Sequence, residues 1–255
     1  SETPATEMPL MLWVHGGGFL IGAAEDMFAA GLVKDVVVGS EEPWFCWASV
    51  AYRLGPSGMF PGAIDDIVQA YTGLLDTSLA TSCGYSPAKI GLAGVSSGGY
   101  LVCSAAIRLA SLEKPPIFMQ SLYPMVDPHM NTESHKSYGD LNICPAPFLR
   151  TGWRIFLGGL SLAGASDNAL SEEKMQEANL LREDWSALKS IPISVGLAVC
   201  KYDPLHDEGV ALGDLMKAVG LTVERITVSS SHAGHDYDRK AKKQVVEQLR
   251  RMLGK

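Results

Sequence analysis

Ile90-Gly91-Leu92-Ala93-Gly94-Val95-Ser96-Ser97-Gly98-Gly99-Tyr100 joins a short apolar run to a second, longer one through a serine flanked by glycines. The run Ile90 to Ala93 reads as a buried strand, and Tyr100 to Leu109 as a buried helix. A strand that turns at once into a helix holds the residue at its apex in a strained conformation. Side chains two positions before and after would then collide, and Gly94 and Gly98 remove those collisions. Ser96 is left with its hydroxyl exposed above a helix N-terminus. G-x-S-x-G alone is a weak signal, because a glycine-rich strand-to-helix turn can have the same letters.

The same strand-helix rhythm runs outward in both directions. Leu10 to Val14, Phe45 to Ala51, Ile117 to Tyr123, Ile193 to Cys200 and Thr222 to Val228 are further apolar runs. They are continuous rather than alternating, as expected of strands buried on both faces of a parallel sheet. Between them, Ile64, Ile67, Val68, Tyr71, Leu74 and Leu75 draw one helical stripe, and Val245, Val246, Leu249, Met252 and Leu253 draw another. The pattern predicts an α/β fold with a mostly parallel, doubly wound sheet and right-handed crossovers. From 129 to 190 the rhythm fails. Pro145, Pro147, Gly158, Gly159 and Gly164 interrupt helical patches at Phe148 to Leu157 and Ser171 to Leu181. An insertion there is expected to lie over the carboxyl edge of the sheet as a lid.

Composition narrows the function classes. In 255 residues, 47% are hydrophobic and 19% charged, which excludes a disordered chain. No apolar run reaches the roughly 20 residues that span a bilayer, so no membrane span is expected. A net charge of −7 provides no cationic footprint for nucleic acid. The five cysteines, Cys46, Cys83, Cys103, Cys144 and Cys200, are odd in number and form no C-x-x-C pair. They are expected to be reduced core residues, consistent with a cytoplasmic protein.

Three more stretches lie at expected strand ends. His15-Gly16-Gly17-Gly18 follows the first strand, where glycines let backbone N–H groups face a cleft unobstructed. That suits an oxyanion hole built from Gly17, Gly18 and the N–H of Ser97. His15 is read as a brace for this loop. Asp203 follows the run Ile193 to Cys200, and His232-Ala233-Gly234-His235-Asp236-Tyr237 follows the last strand. Ser96, Asp203 and a histidine at 232 or 235 then stand in the order Ser…Asp…His, which belongs to α/β-hydrolases.

With these residues in place, the chain resembles the hormone-sensitive-lipase-like family of α/β-hydrolases, which includes carboxylesterases. The likeness is carried by His15 to Phe19, Tyr52-Arg53-Leu54-Gly55-Pro56 with Phe60-Pro61, the Ser96 elbow, Leu122-Tyr123-Pro124, and Asp203-Pro204-Leu205-His206-Asp207-Glu208-Gly209. The resemblance implies one α/β-hydrolase domain over 1–255, a helical cap at 129–190, an acyl-enzyme mechanism, and no cofactor; no metal is expected either, because the spacing of His232, His235, Asp236 and Asp238 fits no standard zinc pattern. It also implies His235 as the base, through the family's H-x-aromatic pattern, although the spacing from Asp203 favours His232. The elbow departs from the family's G-D-S-A-G-G at Val95 and Ser97. Only 14 residues precede His15, so the family's N-terminal cap and opening strands are expected to be missing. The strand at Phe45 to Ala51 would then be a sheet edge that a missing N-terminal segment or a second copy must cover.

The expected substrate is a small carboxylic ester with a short to medium acyl chain. Amides, thioesters and acetyl groups could be cleaved by the same residues. A non-catalytic receptor on the same scaffold, as in plant gibberellin receptors, is the alternative of a different class. Asp127 is a weaker candidate for the acid. Asp65, Asp66, Asp207 and Glu208 read as helix-start carboxylates. Phe148, Trp153, Phe156 and Met175 read as lid packing.

Overall fold

Each of the six apolar runs forms a strand. In a computed structural model, which describes residues 8–25, 31, 45–140, 144–159, 170–232 and 239–252, the strands are β1 (Met8–Val14), β2 (Cys46–Val50), β3 (Tyr85–Val95), β4 (Phe118–Leu122), β5 (Ser194–Tyr202) and β6 (Val223–Ser231). They make one sheet in the order β2-β1-β3-β4-β5-β6, and every neighbouring pair is parallel. The chain goes from β1 outward to β2, then returns to the other side of β1 for β3. The carboxyl ends of β1 and β3 therefore flank a topological switch point, where open α/β sheets bind ligands.

The helices are α1 (Gly62–Gly73), α2 (Thr77–Cys83), α3 (Ser97–Leu109), α4 (Glu133–Tyr138), α5 (Ala146–Phe156), α6 (Glu172–Glu177), α7 (His206–Ala218) and α8 (Arg239–Met252). Helix α2 is not signalled by hydrophobic spacing. It starts because the Asp76 side chain accepts from the Leu79 N–H, and it ends on Gly84 at φ 76°. Alternate strand residues face opposite layers. Leu10, Leu12, Val14, Ile90, Leu92, Leu197 and Val199 pack in one core with Ile64, Ile67, Leu101 and Leu212. Met11, Trp13, Ala93, Val95, Ala198 and Val228 pack in the other with Val245, Val246 and Leu249 of α8. The doubly wound expectation thus holds, with buried residues on both faces of every inner strand.

Between β4 and β5 the described residues hold α4, α5, α6 and two short 3₁₀ turns, and no strand. The expected helix at Ser171 to Leu181 is shorter than its hydrophobic spacing predicts. It stops at Glu177, because the Asn179 side chain turns back to accept from the Leu181 N–H while its amide donates to Asp127. Trp153 and Phe156 are buried, with Phe156 stacked on Phe19 at 4.1 Å between ring centroids. Both pack as core residues.

The cysteines require a correction. All five are free thiols, but only Cys103 and Cys200 are core residues. Cys46 and Cys144 are half-buried and Cys83 is exposed. Cys46 heads a strand at the edge of the sheet and Cys83 ends a short helix, outside the two-sided core.

Candidate active site

Four strand ends carry the site. Val14 pairs with Gly94, so the loop after β1 and the turn after β3 leave the sheet side by side. Ser96 has φ 55° and ψ −120°, a conformation L-residues rarely adopt, and it occupies the N-cap of α3. The glycines around it are sterically required. A Cβ on Gly94 would lie 2.5 Å from the Gly98 carbonyl oxygen, and a Cβ on Gly98 would lie 2.2 Å from the Val14 oxygen. The Ser96 N–H donates to the Leu122 carbonyl at 2.9 Å, which ties the elbow to the end of β4.

The glycine loop lies against this elbow. Gly17 and Gly18 have φ of 114° and 62°, and a Cβ on Gly17 would sit 2.0 Å from the Ile21 carbonyl oxygen. Among the described residues, the N–H groups of Gly17, Gly18 and Ser97 donate to no backbone carbonyl outside a regular element. His15 is buried, its Nδ1 lies 2.7 Å from the Gly16 oxygen, and its ring stacks on Tyr52 at 4.3 Å. The Tyr52 hydroxyl donates to the His15 carbonyl at 3.0 Å. These contacts, within its own loop and to Tyr52, are those of a brace. Phe148 of α5 lies over Gly18, close enough that a Cβ there would meet its ring at 2.9 Å.

At the other end, Tyr202 pairs with Ser231, so Asp203 and His232 emerge together. The His232 Nδ1 lies 2.8 Å from the Asp203 Oδ2, and both side chains are buried. The second Asp203 oxygen accepts from the Leu205 N–H at 3.0 Å. The His232 ring meets that of Tyr123, just past β4, edge-on at 4.8 Å, which carries the imidazole back toward the elbow. The hydrogen bonds of the described residues join His232 to Asp203 and include none from the Ser96 hydroxyl to that ring. Such bonds are often long in the absence of substrate. Burial pulls the His232 pKa down, but the Asp203 charge and hydrogen bond, helped by the neighbouring Cys144 thiol, outweigh it. The net direction is upward from 6.5.

His235, the base implied by the family pattern, lies outside the described residues. Asp127, the weaker candidate acid, is engaged elsewhere. Its Oδ1 is 2.6 Å from the His129 Nδ1 and also accepts from the Asn179 amide at 2.9 Å. Asp66 pairs with Arg53 and Asp65 with Arg108, as structural carboxylates.

Sequence reasoning missed one pair. Glu208 is more than a helix-start charge, for it is fully buried and accepts from the Val126 N–H at 2.7 Å. Its other oxygen lies 3.4 Å from the Nε2 of buried His135. Burial drives the Glu208 carboxyl well up from its usual range and the His135 imidazole down to about 4. With Asp207 accepting from the Ser134 N–H and the Ser134 hydroxyl donating to the Pro204 carbonyl, the pair clamps the Asp203 loop onto α4. An acid two residues beyond the helix-start position was its only trace in the sequence.

A family model described as the alpha/beta hydrolase fold matches residues 11–237. The chain belongs to the α/β-hydrolase-fold family. Within it, the chain is a member of the hormone-sensitive-lipase-like branch. It is 28% identical over 219 residues to the esterase LipI of Mycobacterium tuberculosis, which covers 86% of this chain and 62% of that protein. It is 27% identical over 242 residues to an ethyl acetate hydrolase of Pseudomonas putida, covering 93% and 69%. A bacterial heroin esterase superposes with a TM-score of 0.78 at 27% identity, over 99% of this chain and 77% of that one. An esterase of Pyrobaculum calidifontis shares the fold, with a TM-score of 0.78 at 21% identity over 97% and 76%. The chain thus spans 62–63% of the length of mycobacterial relatives it matches. Among the described residues, no helix is long and apolar enough to cross a membrane.

Proposed function

We propose that this chain is a serine hydrolase of small carboxylic esters, working through an acyl-enzyme. The observation that carries the reading is the strained Ser96 at φ 55°, set between the glycine loop and the strand ends that bear a hydrogen-bonded Asp203–His232 pair. In this reading the base is His232 rather than His235. The Ser96 oxygen attacks the ester carbonyl while the His232 Nε2 takes its proton. Asp203 holds the Nδ1–H, which fixes the tautomer and stabilises the imidazolium. The N–H groups of Gly17, Gly18 and Ser97 receive the negative oxygen of the tetrahedral intermediate. As the intermediate collapses, His232 returns the proton to the departing alcohol. Water then attacks the acyl-enzyme by the same proton path and releases the acid. No cofactor enters any step.

The segment 129–190 serves in this reading as the lid. Phe148 over Gly18 limits the space above the oxyanion loop, which supports acyl chains of short to medium length. The retained acid–imidazole pair supports catalysis over a purely receptor role.

The test is hydrolysis of p-nitrophenyl acetate, butyrate, hexanoate and decanoate by the parent and by Ser96→Ala. Turnover is expected on the shorter esters, falling at decanoate, with Ser96→Ala at least about 10⁵-fold slower. Equal turnover by the two proteins would refute the proposal.

A further inference from the structure

The two accessible cysteines outside the site lie beside each other. Cys46 opens the edge strand β2, and its thiol donates to the Cys83 carbonyl at 3.6 Å and to the Gly84 carbonyl at 3.8 Å. Gly84, left-handed at φ 76°, turns the end of α2 back so that both carbonyls face β2. The Cys46 sulfur thus lies against the main chain of Cys83, though the two residues are 37 apart in the chain. Cys83 is exposed and its thiol now rests on the Ser82 hydroxyl at 3.8 Å, a contact that a turn about χ1 releases.

We propose that Cys46 and Cys83 are a peroxide-responsive thiol pair that closes to a disulfide, stapling the edge strand to α2. Exposed Cys83 reacts first. Its thiolate attacks one oxygen of a hydroperoxide, the O–O bond breaks, hydroxide leaves, and Cys83 becomes a sulfenic acid. The Cys46 sulfur then attacks the Cys83 sulfur, losing its proton, and water leaves. Two thiols and one hydrogen peroxide give one disulfide and two waters, with two electrons passing from sulfur to oxygen. Burial and the adjacent Cys83 raise the Cys46 pKa, which disfavours Cys46 as the thiol that meets the oxidant first. Cys103 and Cys200 are fully buried and so out of reach of the oxidant.

Cys46 and Cys83 lie toward the amino ends of β2 and β3, whereas Ser96 and His232 follow the carboxyl ends of β3 and β6. Closure should leave esterase turnover unchanged and act on stability, because it constrains a long loop of the unfolded chain.

The experiment exposes the full chain to a few equivalents of hydrogen peroxide, blocks remaining thiols under denaturing conditions, and reads intact mass, linked peptides and Tm. The expected result is loss of two thiols, one reductant-sensitive Cys46–Cys83 peptide, and a Tm rise of about 5 °C or more. In Cys46→Ser, Cys83 should remain as a sulfenic acid that dimedone labels. In Cys83→Ser, no thiol should be lost. Overoxidation of Cys83 without a link, a Cys83–Cys83 bridge between molecules, or a link from Cys83 to Cys144 would each overturn the proposal.

Discussion

At the β1–β3 end of the proposed site the groups assigned to catalysis are backbone amides and one strained serine. At the β5–β6 end they are two side chains joined across 2.8 Å. The first end is fixed by sterics: Gly94, Gly98 and Gly17 each stand where a Cβ would lie within 2.5 Å of a backbone atom. The second is fixed by reach and charge, since Asp203 and His232 meet because Tyr202 and Ser231 are paired in the sheet. Geometry built from glycine resists any added atom, whereas geometry built from side chains tolerates small change but depends on protonation.

That difference can be broken from either side by changing the groups that support Ser96 and His232, and among these the largest effect belongs to the charged end. Asp203→Asn should lower kcat by about 10⁴-fold, because the imidazole loses its orienting acceptor. The pH profile supplies the signature. Only neutral His232 accepts the serine proton, so parent activity should rise as pH climbs through a value above 6.5. In Asp203→Asn, burial acts without the opposing charge, and the acid limb should move downward. Stability runs the other way. The contribution of this pair to folding is complete below about pH 6.5 and is lost as pH rises through the raised value of the folded state. An unchanged acid limb in the variant would mean that Asp203 does not set the imidazole.

At the glycine end, Gly98→Ala forces a Cβ against the Val14 and His15 carbonyl oxygens, at 2.2 and 2.4 Å. Chemical denaturation should show a loss of about 3 kcal/mol, the upper range for overpacking, with kcat down roughly 100-fold as the oxyanion loop shifts. Glu208→Ala tests the support of the charged end from behind. It leaves the buried Val126 N–H without its acceptor and opens a void beside His135, and should cost about 2–3 kcal/mol, with Glu208→Gln much milder because its oxygen can still accept from Val126. The smallest effect is expected for Tyr52→Phe, which removes one hydrogen bond to the His15 carbonyl and keeps the stacked ring. About 1 kcal/mol of stability and a few-fold drop in kcat should follow.

The two ends also differ in how far the sequence reveals them. Glycines demanded by sterics leave a fixed spacing, so Ser96, Gly17 and Gly18 could be picked out from the order of residues, as could all six strands from their continuous apolar runs. A histidine leaves no such trace. His232 and His235 lie three positions apart in the same segment, and local letters favour one while the register of β5 against β6 brings the other to Asp203. Glu208 and His135 were hidden for the same reason, since a buried pair is defined by partners distant in the chain. Helix α2 escaped because its start rests on the Asp76 side chain rather than on an apolar stripe. Cys46 and Cys83 read as core in the sequence because cysteine usually is buried, and only the placement of the edge strand shows otherwise.

The proposed reaction requires His232 to be the group that takes the proton from Ser96. The direct measurement is kcat on p-nitrophenyl butyrate for His232→Ala and His235→Ala side by side, each with its fold verified by circular dichroism. His232→Ala should fall by at least about 10⁴-fold while His235→Ala stays within a factor of ten of the parent. The reverse pattern would contradict the account, and so would two variants that both keep parental rates.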